Sequence, residues 1–187
     1  YKHHAGQETR IDPSVSNIVD VYLLERTYDN LFRIWLQDGG AKPSPSTSDQ
    51  LRINYSGTLD PLKSLSDQII YHPVKYKILF GSNADEELQA TFKVVKNTKT
   101  NVTDAVIKTR VISAINEFFA LDNWDFGDSF YYTELAAYVH NQLAPDLLTA
   151  VIVPNQTGQT FGSLFQINSA ADEIFISGAT VDDVSII

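Results

Sequence analysis

An apolar repeat in the middle of the chain constrains the fold more than any other feature. From Ile107 to Phe119 the apolar residues recur every three or four positions, which places them on one face of an α-helix. A second repeat ends at Leu143, before Pro145, because the residue preceding a proline rarely adopts helical geometry. The segment therefore predicts two helices whose apolar faces need a common partner. Those faces consist of Ile107, Val111, Ile115 and Phe118 in the first helix, and Leu135, Tyr138, Val139 and Leu143 in the second.

Strand-like segments flank this helical pair. The apolar run at 147–154 is nearly continuous, which is typical of a strand buried on both faces. Strands on both sides of two helices predict an α+β fold, in which a mostly antiparallel sheet carries the packed pair of helices on one face, with a smaller N-terminal strand-helix segment. The predicted strands span residues 18–23, 69–72, 74–80 and 90–96 before the helices, and 147–154, 163–168 and 172–178 after them.

Composition divides the chain into three parts. Residues 1–10 are polar and aperiodic, which predicts a flexible leader. Residues 11–66 hold a strand and a short helix with Thr27 as its predicted N-cap, followed by the linker sequence "GGAKPSPSTSDQ". Residues 67–187 form the predicted α+β sandwich domain.

The charge balance and the missing residue types exclude several classes of protein. A net charge of −9 argues against a nucleic-acid partner, since phosphate binding depends on clustered Lys and Arg. The chain has no cysteine, which excludes disulfides, thiolate metal sites and cysteine nucleophiles. No apolar run approaches the roughly 20 residues of a membrane helix, so no membrane partner is predicted. The chain lacks methionine and begins at Tyr1, which predicts a processed product or a fragment of a longer protein.

The segment between the two predicted helices contains Asp125-Phe126-Gly127, a tripeptide that carries a magnesium-binding carboxylate in protein kinases. A kinase also needs a Gly-rich phosphate loop, a strand lysine and a His-Arg-Asp catalytic loop. The sequence contains none of these, so the tripeptide does not indicate a kinase.

The same segment admits one enzymatic alternative. Asp122, Asp125 and Asp128 flank Trp124, so a sugar ring can stack on the indole while two carboxylates perform glycoside hydrolysis. No second cluster of aromatic and acidic residues marks a cleft elsewhere in the sequence. Three acids within seven residues are also common in an acidic protein.

A structural interpretation accounts for more of these residues. We predict a structural corner in which several aromatic residues turn inward and seal the ends of the two helices, from the set Phe118, Phe119, Trp124, Phe126 and Phe130. Gly127 permits the tight backbone turn between them. On this interpretation the chain has no catalytic, cofactor-binding or metal-binding residues and is not an enzyme.

The string "VISAINEFFALDNWDFGDSFYYTELAAYVHNQL", followed by "LLTAVIVP", resembles the J-like baseplate wedge proteins of contractile-tailed phages. Their pattern is a long helix, a Phe-Gly turn, a second helix that opens near Thr/Ser-Glu-Leu, and then a strand. Phe126-Gly127, Thr133-Glu134-Leu135 and residues 148–153 hold these places here. "NIVDVYLLERTYDNLFRIWL" is also similar to part of the large wedge subunit of T-even-like phages, and the resemblance spans residues 12–155.

The resemblance implies a structural protein of the virion, located in the tail baseplate and assembled in the host cytoplasm. It implies contacts between copies of the chain, as dimers within a ring, and contacts with other baseplate wedge proteins. No cofactor is implied, and the family has no catalytic residues to carry over.

Composition alone leaves a third possibility open. The chain is acidic, free of cysteine and rich in Ser, Thr, Asn and Tyr, which also suits a secreted or surface-exposed adhesin-like binding module. Its nine tyrosines fit such a role, since tyrosine is enriched at protein interfaces. A signal peptide in the parent gene would favour the adhesin, and neighbouring tail genes would favour the baseplate protein.

Overall fold

The computed structural model describes residues 18–62, 68–155 and 166–187. The predicted leader at 1–10, the boundary between residues 66 and 67, and the first half of the strand predicted at 163–168 lie outside them. The described helices are α1 (Arg26–Asp38), α2 (Ser48–Leu59), α3 (Asp104–Phe118) and α4 (Tyr132–Leu143). The described strands are β1 (Ile18–Leu23), β2 (Gln68–Pro73), β3 (Lys75–Leu79), β4 (Ala90–Lys96), β5 (Ser129–Tyr131), β6 (Leu147–Pro154), β7 (Gln166–Asn168), β8 (Glu173–Ser177) and β9 (Val184–Ile186).

The fold is α+β, as predicted, but the described strands form four small sheets. β1 pairs with β2 and β3 with β8, both in parallel. β4 lies between β6, which is antiparallel to it, and β9, which is parallel. β5 and β7 form a short antiparallel pair. Three of the five described pairings are therefore parallel, whereas we expected a mostly antiparallel sheet. Apolar patterns identify strands, but the partner and direction of each strand depend on the long connections between them.

Helix α1 begins slightly earlier than its sequence predicts. Glu25 holds the N-cap position, so Thr27, the predicted cap, lies within the first turn. The helix ends where the backbone of Gly39 takes a positive φ of 75°, and the amide of Gly39 donates to the carbonyl of Trp35 at 2.9 Å. Tyr28 and Phe32 form its buried face.

Helix α2 occupies a region in which no helix was predicted. Thr47 and Gln50 form a capping box: the Thr47 side chain accepts from the Gln50 amide, and the Gln50 side chain accepts from the Thr47 amide. Leu51 is its one fully buried described side chain, so the helix lacks the wide apolar stripe that normally identifies an amphipathic helix. The carboxylate of Glu25 accepts a hydrogen bond from the Tyr55 hydroxyl at 3.2 Å and another from the Ser46 hydroxyl, which ties α2 to the start of α1.

The parallel pair β3–β8 separates two apolar clusters. Side chains alternate across a strand, so successive residues of β3 and β8 reach opposite sides. On the first side they meet Tyr28 and Phe32 of α1. On the second side Leu79 and Phe175 join the larger cluster, which contains the buried faces of α3 and α4. The strand residues on the first side are Tyr76, Ile78, Ile174 and Ile176.

Helices α3 and α4 agree with the predicted pattern. Within the larger cluster, Ile107, Val111 and Ile115 of α3 are fully buried. Leu135 and Leu143 of α4 are buried as well. The two helices also contact each other and lie against the sheet that contains β4. The central apolar repeat therefore forms the main core of the protein.

The prediction that β6 is buried on both faces is wrong. β6 pairs with β4 at one end of the strand order β6-β4-β9, and Leu148 and Val151 are 57% and 50% exposed. A continuous apolar run shows that a segment is hydrophobic, but it does not show how many of its faces other elements cover.

Candidate functional site

The segment between α3 and α4 folds as a compact corner. After α3 the chain makes a 3-10 turn at Leu121–Asn123, passes through Trp124 in an extended conformation and turns again at Gly127. It then enters β5, which pairs with β7 and places Phe130 opposite Ile167. The sequence did not predict β5, because three residues are too few to show a strand period.

Trp124 is the central side chain of this corner. Its indole stacks on Phe119 with 5.5 Å between ring centroids, and it meets Phe175 of β8 edge-on at 5.2 Å. The indole Nε1–H donates to the carbonyl of Phe118 at 2.8 Å, so the end of α3 and the indole hold each other in place. Trp124 contacts both apolar clusters and therefore joins them.

Phe80 lies at the middle of the surrounding aromatic residues, and it was not among the predicted corner residues. Its backbone has a φ of 65°, which is uncommon for any residue other than glycine. Gly81 follows with a φ of 69° and approaches Gly178 so closely that a Cβ would lie 1.9 Å from the Gly178 carbonyl oxygen. The Phe-Gly dipeptide after a strand was the only available signal. The fully buried Phe80 ring meets Phe92, Phe119, Phe130 and Tyr132 edge to face.

The structure does not place all the predicted corner residues together. Phe118 and Phe119 pack in the larger cluster with Trp124. Phe126 packs instead against the smaller cluster on the α1 side. The corner residues therefore pack against two apolar clusters, whereas the sequence predicted that they cover the ends of the helical pair alone.

Gly127 makes the turn between Phe126, which packs against the smaller cluster, and the residues that lead into β5. Its φ is 77°, in the left-handed region that side chains other than that of glycine rarely occupy. Its amide donates to the carbonyl of Glu173 at 3.1 Å, which attaches the corner to the start of β8. A Cβ at this position would lie 3.4 Å from Cα of Ala171, an ordinary contact distance, so the positive φ is what favours glycine here.

The three acids of the corner have different surroundings. The carboxylate of Asp128 accepts a hydrogen bond from the backbone amide of Asp125 at 2.8 Å, which is a local turn contact. The side chains of Asp122 and Asp125 are exposed. The structure therefore gives Asp128 a role in holding the turn.

A shallow cleft of about 250 Å³ lies beside the corner on the α1 side. Asp125 is the single acid among its lining residues, whereas glycoside hydrolysis needs two carboxylates on opposite sides of the bond. The lining consists of Leu24, Leu121, Trp124, Asp125, Phe126 and Ile174.

The Tyr132 side chain is buried in the larger apolar cluster. Burial raises the pKa of the Tyr132 phenol, so this side chain stays neutral in the larger cluster.

At the surface, Leu31 and Ile34 of α1 are more than half exposed. Val151 of β6 is exposed too. Exposed apolar side chains on two different elements are candidates for contact with other proteins.

No protein-family model matches this chain, and no curated protein matches it. Across 18–62, 68–155 and 166–187, no group of three His, Asp or Glu residues is placed to hold a metal ion. Within the same ranges, none of the helices has the length and apolar character needed to cross a membrane.

Proposed function

We propose that this chain is a structural component of a phage tail baseplate wedge and acts through protein–protein contacts. The observation that carries the proposal is the order of elements around the corner. A long helix, α3, leads through the Phe126-Gly127 turn and the three-residue strand β5 into α4 and then into β6. This is the order found in the J-like wedge proteins that the sequence resembles.

The contacts within the corner support a structural role for its distinctive residues. Trp124 is engaged by Phe119 and Phe175, and its N–H donates to a backbone carbonyl. Gly127 and Asp128 shape the turn through their own hydrogen bonds. A structural protein uses such residues to fix the positions of its helices, and its binding energy comes from other surfaces.

Exposed apolar residues supply those surfaces. Leu31 and Ile34 lie three positions apart on α1, so they share its exposed side. Leu148 and Val151 lie on the edge strand β6. A wedge protein needs at least two separate contacts, one with a further copy of itself and one with a neighbouring wedge protein.

Labelling of intact particles tests the proposal. In electron micrographs, gold-labelled antibodies raised against the chain should bind at the baseplate of contractile-tailed phages whose tail gene cluster encodes it. Labelling at the baseplate, together with the peptides of this chain in digests of purified particles, is the expected result. Purified particles that lack the chain would overturn the proposal.

Two binding and activity assays address the alternatives. Binding of the purified chain to immobilised glycans or cell surfaces, combined with its absence from particles, would identify an adhesin-like module. Release of reducing sugar from a polysaccharide panel, lost on replacing Asp125 or Asp128, would identify a glycoside hydrolase.

A further inference from the structure

We propose that two copies of this chain pair through the outer edge of β6, so that their three-stranded sheets form one six-stranded sheet. The pairing gives the self-contact of the proposed function a location. It rests on β6 itself, however, and holds whether or not the chain belongs to a baseplate.

β6 is an edge strand with little protection against pairing. It runs for eight residues, "LLTAVIVP", and contains no charged side chain. Edge strands in monomeric proteins usually carry lysines, prolines or bulges that block the approach of another strand. In β6 such features lie only at the two ends, where the pairing with β4 shifts register near Leu148 and where Pro154 terminates the strand. Among residues 18–62, 68–155 and 166–187, no strand pairs with the outer side of residues 149–153 between them.

The two faces of β6 differ in a way that suits this pairing. Ala150 and Ile152 pack against the larger apolar cluster, so they hold the inner face of β6 against the core. Thr149 and Val151 alternate with them, and both are exposed on the outer face. A second strand at this edge would gain backbone hydrogen bonds and would cover part of the exposed apolar surface.

The symmetry of an antiparallel pair makes a second copy of the chain a suitable occupant. A two-fold axis perpendicular to the sheet keeps both outer faces on the same side. Centred at Val151, it places Val151 opposite Val151 and Thr149 opposite Val153. These are pairs of β-branched side chains, which stabilise neighbouring strands.

Charge favours this edge over other parts of the surface. The chain carries a net charge of −9, so two copies repel each other least where they meet through a neutral region. The nearest charged side chain on the outer face of β4 is Lys93, which pairs with Val151. The Lys93 residues of two paired copies would stand three strand spacings apart, roughly 14 Å. That distance exceeds the Debye length of about 8 Å at physiological salt, so their repulsion is screened.

Sedimentation of two matched lysine variants tests the proposal. Val151→Lys places a charge at the two-fold axis, and Ile53→Lys places one on α2 at a side chain that is 76% exposed. We expect the parent chain to dimerise with a dissociation constant below about 100 μM. Val151→Lys should raise the dissociation constant by at least about tenfold, and Ile53→Lys should leave it unchanged. A monomeric parent, or a Val151→Lys variant that dimerises as the parent does, would overturn the pairing and would leave the particle-labelling result unaffected.

Cross-linking keeps the proposal testable if Val151→Lys does not fold. The chain has no cysteine, so a single introduced cysteine is unique. Oxidation of Val151→Cys should give a disulfide-linked dimer much faster than oxidation of Ile53→Cys, because residues opposite each other in an antiparallel pair lie within reach of a disulfide. Equal rates for the two variants would overturn the assignment to β6.

Discussion

The indole of Trp124 stacks on the ring of Phe119, with 5.5 Å between ring centroids and 17° between ring planes. Phe119 is the residue that terminates α3, so this contact joins the end of a helix to the loop that follows it. The direction of the chain after α3 is therefore set by packing between aromatic rings and by the hydrogen bond from the indole to Phe118.

Replacing Phe119 by alanine should destabilise the protein strongly. The side chain is 2% exposed, and its loss leaves a cavity among aromatic rings, so we expect a decrease of about 3–5 kcal/mol in the free energy of unfolding. Phe126→Ala is the matched control: that ring is only partly buried beside the cleft, and its loss should cost about 1–3 kcal/mol. Urea denaturation measures both, and an equal or reversed ranking would contradict the assigned packing.

Two glycines should respond in opposite directions to alanine. Gly127 has a φ of 77°, so Gly127→Ala forces a side chain into the left-handed region and should cost about 1–2 kcal/mol. Gly57 lies within α2, where a Cβ meets no other atom within 4 Å. Gly57→Ala should therefore stabilise the protein by about 0.5–1 kcal/mol. Thermal denaturation of the two variants compares them directly, and two shifts of the same sign would count against this account.

The sequence identified those elements whose own residues carry a period. α3 and α4 were predicted because Ile107, Val111 and Leu135 recur at helical spacing, and each is buried. α2 was missed because Leu51 is its single fully buried described side chain, so the helix depends on a capping box and on contacts with the Glu25 carboxylate. A periodicity rule cannot detect a helix that buries so few apolar side chains.

Strand pairing and part of the corner were beyond the reach of sequence patterns. β3 pairs in parallel with β8, which lies almost a hundred residues further along the chain. This pair divides the core, and as a result Phe126 and Phe119 lie in different clusters although both were predicted to face inward together. Phe80 was missed for a similar reason, since its central position follows from the crossing of Gly81 and Gly178.

Asp146 should make the stability of the protein depend on pH. Its carboxylate accepts hydrogen bonds from the Thr100 hydroxyl and the Arg110 guanidinium, each at 2.6 Å. The hydrogen bond from Thr100, followed by that from Arg110, lowers the pKa of Asp146 below its usual value. A carboxyl group with a lowered pKa in the folded state stabilises the protein above its unfolded-state pKa of about 3.9, and this contribution is lost as the pH falls through the folded-state value.

Asp146→Asn should accordingly be less stable than the parent at neutral pH, and the difference should shrink in acid. Urea denaturation at about pH 7, 5 and 3 measures it, with most of the change expected below about pH 4. Asp122→Asn is the control, because Asp122 is exposed on the corner. A difference between parent and Asp146→Asn that stays constant down to about pH 3 would show that Asp146 acts without its charge.

The acids of the corner provide the sharpest separation between a structural role and a catalytic one. Asp125 is exposed, so Asp125→Asn should change the free energy of unfolding by less than about 0.5 kcal/mol. Asp128→Ala removes the acceptor for the Asp125 amide and should cost about 1 kcal/mol, whereas Asp128→Asn keeps an acceptor oxygen and should cost less. A structural corner predicts this ranking in urea denaturation and no release of reducing sugar by the parent chain. Hydrolysis by the parent that disappears in Asp125→Asn, with stability unchanged, would establish a catalytic carboxylate and contradict the structural role.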